Sequence, residues 1–366
     1  SETVVDDVDD KNEFNNLGGI WFSFDDSGNC NESKQNGCGN PTKSTISPLS
    51  GNGTPFAVSK TGYDNTGYCI WANFKLGSGY VPKNGGSCAS WTNPAFVGIG
   101  TYMHKDNVSV VDWSHGTGVT FWYKGPACSF QVVTTDVTDG GFHFWSIDAC
   151  NEWTKITRLF TNLDQPTSWC KKVDFNPKHV QKLQWQWATD VTGANATGDI
   201  YIDEVHVLGM PPVELTGLEI SPVSDADLEE DHLHANINPL QIPKPEVEGV
   251  YHAGDTLYLE TTPTPPAATY RVVFWSSSDE DVVTVDYRGR VLGVGYGEAT
   301  ITARSKMHQN VFTTYTVKVP APKKNPESIS FEESSYEVTV GETTTILASF
   351  SPNGVTETGL TWTSSD

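Results

Sequence analysis

Ten of the twelve tryptophans in this 366-residue chain stand before residue 211: Trp21, Trp71, Trp91, Trp113, Trp122, Trp145, Trp153, Trp169, Trp185 and Trp187. A flat indole stacks on an apolar C–H face such as a sugar ring presents, while amides and carboxylates bind the surrounding hydroxyls. Most of these rings are expected in a core, the commoner fate of a large aromatic. Alternation along strands sorts some of them. In residues 118–124, Val119, Phe121 and Tyr123 form one apolar face, which sends Trp122 to the other face with Thr120 and Lys124. In residues 183–187, Leu183, Trp185 and Trp187 read as core, and Gln184 and Gln186 face outward as amide donors.

Catalytic signatures are missing. A jelly-roll glycoside hydrolase needs two carboxylates across a cleft, often as E-x-D-x-x-E on one strand. The nearest run, Asp199 to Glu204, has the wrong spacing and the wrong residues. No G-x-S-x-G, H-E-x-x-H, P-loop or Rossmann fingerprint occurs. His104, His115, His143 and His179 are scattered, and the His232/His234 pair sits in an acidic, Pro-rich stretch that reads as a solvated loop.

The elements that must position these residues are strands. Aliphatic and aromatic residues come in short runs, punctuated by 33 Gly and 21 Pro, with no long 3.6-residue period. A net charge of -22 repels phosphate, so neither nucleic acid nor an anionic membrane suits as a partner. No apolar run is long enough to span a bilayer. The seven cysteines, Cys30, Cys38, Cys69, Cys88, Cys128, Cys150 and Cys170, all lie in the first half, which points to local disulfides and an oxidising compartment. A hairpin turning at Asp139-Gly140-Gly141 leaves Cys128 and Cys150 equidistant, so they are expected to pair. Cys30–Cys38 and Cys69–Cys88 follow as further pairs, with Cys170 left over or exchanging with one of these.

Composition shifts at Pro211-Pro212 and again at a stiff linker, Pro320 to Pro326. Between and beyond these the chain repeats. Gly254-Asp255-Thr256 and Gly341-Glu342-Thr343 stand 87 residues apart, as do Trp275-Ser276-Ser277-Ser278-Asp279 and Trp362-Thr363-Ser364-Ser365-Asp366. Two motifs in one register mark a tandem domain. The openings, Leu218-Glu219-Ile220 and Ile329-Ser330-Phe331, are offset further, so the first copy carries an insertion at about 223–250. By comparison with the first copy, the second stops short, and the natural protein is expected to continue past Asp366.

Residues 254–305 resemble the bacterial Ig-like group 2 family: Trp275-Ser276-Ser277-Ser278-Asp279, Val285-Asp286, Gly289, Val291, Gly297, Ala299, Ile301 and Thr302 fill that family's pattern. Trp275 is expected as the core tryptophan of that sandwich. The first block resembles family 11 carbohydrate-binding modules. VDDVDDKNEFNNLGGIWFSFDDS, GVTFWYKG, EWTKITRLFTNL and GDIYIDEVHVLG follow that family's motifs in order over about residues 4–209, although Glu204 stands where the family usually has Asn. The resemblance implies a jelly roll whose ligand cleft is lined by Trp169, Trp21 (or its neighbour Phe22), Tyr68 and Trp145; Trp122, Gln184 and Gln186 are added to the candidate ligand-binding set by alternation alone. It also implies that the two ends of the block meet. Asp7 and Asp9, from the cluster Asp6, Asp7, Asp9 and Asp10, would then join Asp203 as hard oxygen ligands for a structural calcium ion; the plainer reading is a solvated acidic run.

The expected architecture is therefore all-β: a jelly-roll β-sandwich at 1–210, an Ig-like β-sandwich at 211–320, and a linker with an incomplete second Ig-like repeat at 321–366. The expected role is non-catalytic binding of a plant-type β-glucan or related hemicellulose, within a larger secreted or cell-surface bacterial protein. A structural or adhesive surface protein with Ig-like spacers is the alternative, and a divergent glycoside hydrolase a third.

Overall fold

The computed structural model describes residues 1–26, 38–39, 43–51, 53–77, 81–82, 94–223 and 252–366, and within them contains strands and short 3₁₀ turns. The first block supplies β1 (Glu2–Asp6), β2 (Trp21–Asp25), β3 (Cys38–Gly39), β4 (Thr45–Ser47), β5 (Lys60–Thr61), β6 (Tyr68–Lys75), β7 (Val81–Pro82), β8 (Phe96–Tyr102), β9 (Gly118–Gly125), β10 (Cys128–Thr134), β11 (His143–Ile147), β12 (Cys150–Leu159), β13 (Val180–Ala188) and β14 (Thr197–Leu208). Two antiparallel sheets face each other. One runs β12-β9-β14-β6-β4, with β1 added on β14 and β5 on β6; the other runs β11-β10-β13-β8-β2. Chain neighbours β9 and β10 lie in different sheets, as in a jelly roll.

Alternation explains the core between the sheets. Val119, Phe121 and Tyr123 of β9 and Leu183, Trp185 and Trp187 of β13 are all fully buried. Trp185 is the hub: it stacks on Phe130 at 4.5 Å and on Trp21 at 5.8 Å, and meets Phe121 edge-on at 5.2 Å. Trp187 donates its Nε1–H to Tyr123 Oη at 3.1 Å.

The expected Cys128–Cys150 pair is not formed. Among the described residues Cys69, Cys128, Cys150 and Cys170 are free thiols. The hairpin of β10 and β11 closes earlier than the Asp139 turn implied, so Cys128 faces Ile147. Cys150 already belongs to β12 in the other sheet, where it faces Gly125. Cys69 is buried on β6, and burial pushes its thiol and that of Cys128 up to about 12. Cys30 and Cys88 lie outside the described residues, as does the side chain of Cys38.

The second domain is a smaller sandwich. Its sheets are β15-β16-β19-β18 and β17-β20-β21, from β15 (Gly217–Pro222), β16 (Thr256–Thr264), β17 (Val273–Ser277), β18 (Val283–Val285), β19 (Arg290–Gly293), β20 (Gly297–Ser305) and β21 (Phe312–Val319). Leu259, Val283, Val291, Ala299, Ile301, Val317 and Val319 fill its core, with Trp275 half-buried against it. Gly289, at φ 86°, lies beneath the Trp275 ring; a Cβ there would meet Leu259 O at 2.4 Å and the indole at 3.0 Å. Most of the expected insertion, residues 224–251, lies outside the described residues.

The repeat is visible as register. In the first copy β15 pairs Leu218 with Pro263; in the second, β22 (Ser328–Phe331) pairs Ile329 with Phe350 of β23 (Ala348–Ser351). Pro263 and Phe350 stand the same 87 residues apart as the sequence motifs. Ile329, Phe331, Leu347 and Trp362 are exposed around this two-stranded ladder.

Candidate functional site

The outer face of the five-stranded sheet is built in cross-strand rows. One row reads Phe22, Gly100, Gln184, Gln131 and Phe144 across β2, β8, β13, β10 and β11. The next reads Phe24, Gly98, Gln186, Ser129 and Ser146. Aromatic rings thus stand at one edge, two glycines beside them, and amides across the middle.

The glycines have a specific use. A Cβ on Gly98 would stand 2.0 Å from the Phe24 ring, and one on Gly100 would stand 2.4 Å from the Phe22 ring. With neither present, both rings lie across β8. Phe22 packs on Tyr102 at 4.7 Å and on Phe24 at 6.0 Å, and Phe24 on Phe96 at 6.2 Å. All four are half-exposed. The Lys182 ammonium lies 5.5 Å from both the Phe22 and Tyr102 rings, and burial holds it below the usual lysine range.

The glutamines brace one another. Gln184 donates to Gln131 Oε1, and Gln131 donates through Nε2 to Gln186 Oε1 at 3.1 Å. Gln184 is buried in this row, whereas Gln186 remains accessible. Each Gln has two N–H donors and an acceptor oxygen, so the row retains hydrogen-bonding capacity toward a ligand.

Trp169 forms the far wall. It is 64% exposed and lines a groove of about 900 Å³ with Phe96, Ser129, Gln131, Phe142, Phe144 and Gln186. Its loop is tied to the β10–β11 turn: Lys171 N–H donates to Asp139 Oδ2 at 2.7 Å, and Gln165 Nε2 to Gly141 O at 2.7 Å. Gly141 lets Cys170 approach, since a Cβ there would stand 2.2 Å from the Cys170 Cβ. A flat exposed ring opposite a shelf of rings, with amides between, suits a flat, hydroxyl-rimmed ligand.

The residues expected from sequence divide accordingly. Trp169 and Gln186 line the groove, and Gln184 lies in the adjoining amide row. Trp21 is corrected to the core: it is 1% exposed and donates Nε1–H to Asp6 Oδ2 at 2.6 Å. Its neighbour Phe22 points outward instead. Trp145 is likewise core, 3% exposed, stacked on Phe130 at 5.3 Å and donating to Leu159 O. Trp122 and Tyr68 sit on the opposite sheet. Trp122 stacks flat on Tyr63 at 4.2 Å, and Tyr68 packs against the core with the Lys11 ammonium 5.1 Å above it. Neither reaches the groove. Phe24, Phe96, Tyr102, Gln131 and Phe144 went unnoticed in the sequence; the alternating glycines of Gly98-Ile99-Gly100 were their available signal.

Asp7, Asp9 and Asp203 do not form a calcium coordination sphere. Asp7 Oδ1 is taken by the Lys306 ammonium at 2.7 Å. Asp203 accepts backbone N–H groups from Tyr63 at 3.0 Å and Glu204 at 2.8 Å. Among the described residues no cluster of three His, Cys, Asp or Glu side chains is arranged to hold a metal. Burial pushes the Asp203 carboxyl up to about 7 and that of Asp6 up to about 8.

Comparison with known proteins finds partial matches to each part of the chain. Residues 244–317 match the bacterial Ig-like domain (group 2). Endoglucanase 3 of Fibrobacter succinogenes is 24% identical over 212 residues, 58% of this chain but only 28% of that protein. A 3-O-alpha-D-galactosyl-alpha-L-arabinofuranosidase of Bifidobacterium longum is 50% identical over 52 residues, 14% of this chain and 5% of that protein. The chain thus spans well under two thirds of these relatives. Among solved structures, the family 11 carbohydrate-binding module of a cellulosomal cellulase of Clostridium thermocellum covers 57% of this chain and 95% of its own, at 14% identity and a TM-score of 0.34. No helix of the described residues is long and apolar enough to cross a membrane.

Proposed function

We propose that the first domain is a carbohydrate-binding module that takes a β-glucan chain into the groove beneath Trp169. The observation that carries this reading is the outer face itself: an amide row and a shelf of four rings on one sheet, with the exposed Trp169 ring on a loop tied to it. Stacking holds the sugar faces, and the amides hold their hydroxyls. The ordered family 11 motifs and the partial match to an endoglucanase favour a glucan over other polymers. The module does not itself hydrolyse: among the described residues the lining of the groove holds one carboxylate, Asp190, where a glycosidase needs two. The protein is exported.

Affinity electrophoresis in gels containing β-glucan, xyloglucan, xylan or mannan, with a reducing-sugar assay alongside, tests this. Retardation by a β-glucan without sugar release is expected. Release of reducing sugar contradicts the non-catalytic reading, and migration unaffected by every glycan contradicts binding altogether.

A further inference from the structure

The acidic opening of the first domain is neutralised by the second domain. Lys306 follows β20, and its side chain is 7% exposed, with Nζ 2.7 Å from Asp7 Oδ1 and 3.2 Å from Asp10 Oδ2. The Asp10 side chain is 3% exposed and held in this ion pair. Asp6 is fully buried beside them. The loop is held in an unfavourable backbone: Val8 at φ 58° and Lys11 at φ 57° both lie in the left-handed region, which a β-branched residue such as Val8 rarely adopts.

We infer that Lys306 is the resident counter-cation of this loop, and that the Ig-like domain is a structural part of the binding module rather than a detachable spacer. Four further contacts land on the same short segment. Arg288 Nε donates to Glu13 Oε1 at 2.9 Å, and Tyr287 Oη to Glu13 Oε2 at 3.0 Å. Arg271 N–H donates to Asn16 O at 3.1 Å, and Val4 N–H to Tyr270 Oη at 3.1 Å. Burial pulls the Lys306 ammonium down, but Asp6, Asp10 and Asp7 together hold it above the usual lysine range. From this cluster the connection runs inward: Asp6 receives Trp21 Nε1–H, and Trp21 fixes the strand that presents Phe22 and Phe24. Lys306 therefore acts on the stability of this loop and of the strand that follows it, through Asp7 and Asp10. The ion pair is independent of what the groove binds.

The test is thermal unfolding of the full chain, followed by tryptophan fluorescence. Removing one partner of a buried pair leaves a buried charge uncompensated, so Lys306→Met should lower the melting temperature by roughly 10 °C. Lys306→Arg should lose less than half of that. Adding Asp10→Asn to Lys306→Met should recover part of the loss, because the uncompensated charge is gone; this also covers a Lys306→Met chain that fails to fold. Wild-type melting should not respond to calcium or EDTA. Wild-type melting for Lys306→Met, additive effects of the two substitutions, or a wild-type transition lowered by EDTA would each overturn the inference. Because the readout is melting, a failure here is separable from a failure to bind glucan.

Discussion

Gly98→Val separates the binding face from the fold more cleanly than removing a ring does. Gly98 lies in the extended strand β8, opposite Phe24 on one side and Gln186 on the other. Its added Cβ would stand 2.0 to 2.6 Å from three atoms of the Phe24 ring, so the ring must swing away from β8. The core side of β8, Val97 and Ile99, is untouched. Valine is intrinsically preferred over glycine in a strand by up to about 1 kcal/mol, so the melting temperature should hold or rise. Binding should suffer: if the Phe24 face covers about 60 Å² of sugar, at about 25 cal/mol per Å² its loss costs about 1.5 kcal/mol, roughly tenfold in Kd. Calorimetric titration with soluble β-glucan reads the affinity, and scanning calorimetry reads the stability. Unchanged affinity would refute the ring shelf as a binding surface. A fall in melting temperature matching the loss of affinity would show that Phe24 supports the fold instead.

Three further perturbations act on different parts of the account. Trp21→Ala empties a core site and strands the buried Asp6, so it should destabilise by about 3–5 kcal/mol in urea unfolding, while the affinity of the folded fraction stays within a few-fold. Gln131→Ala removes the amide that joins Gln184 to Gln186; titration calorimetry should show about a five- to tenfold loss of affinity, as expected for one hydrogen-bond donor. Stability should fall as pH rises from about 4 to about 8. Burial raises the Asp203 and Asp6 carboxyls to about 7 and about 8, so the fold favours their protonated forms. The stabilisation is complete below the ordinary carboxylate range and is lost as pH climbs through those values. Asp203→Asn should flatten the part of the decline that ends near pH 7, read from unfolding midpoints across the range.

The sequence disclosed faces better than it disclosed neighbours. Alternation correctly sent Trp185 and Trp187 inward and Gln184, Gln186 and Trp122 outward, because parity along a strand is local. It could not say that Trp122 faces outward from the opposite sheet, since sheet membership depends on pairing across long separations. Trp21 and Phe22 differ by one position, and parity put the phenylalanine in the binding face once Asp6 took the indole N–H. The glycines at 98 and 100 acquire meaning only when β2 is known to lie beside β8. Equal spacing about Asp139 misplaced Cys150, because the strand after the hairpin crosses to the other sheet. The ion pair of the acidic opening was not legible because its partner, Lys306, stands almost 300 residues away. The repeat needed no such information: one offset in the sequence became one register in the ladders.

The groove and the opposite face can be set directly against each other by calorimetric titration of the full chain with mixed-linkage β-glucan, comparing wild type, Trp169→Ala and Trp122→Ala. Trp169 is 64% exposed and contributes little to the fold. If one face of its ring covers about 80 Å² of sugar, removing it costs about 2 kcal/mol, close to thirtyfold in Kd, with the melting temperature unchanged. Trp122→Ala should leave affinity at the wild-type value. Binding that survives Trp169→Ala and disappears in Trp122→Ala would contradict the account and move the site to the other sheet.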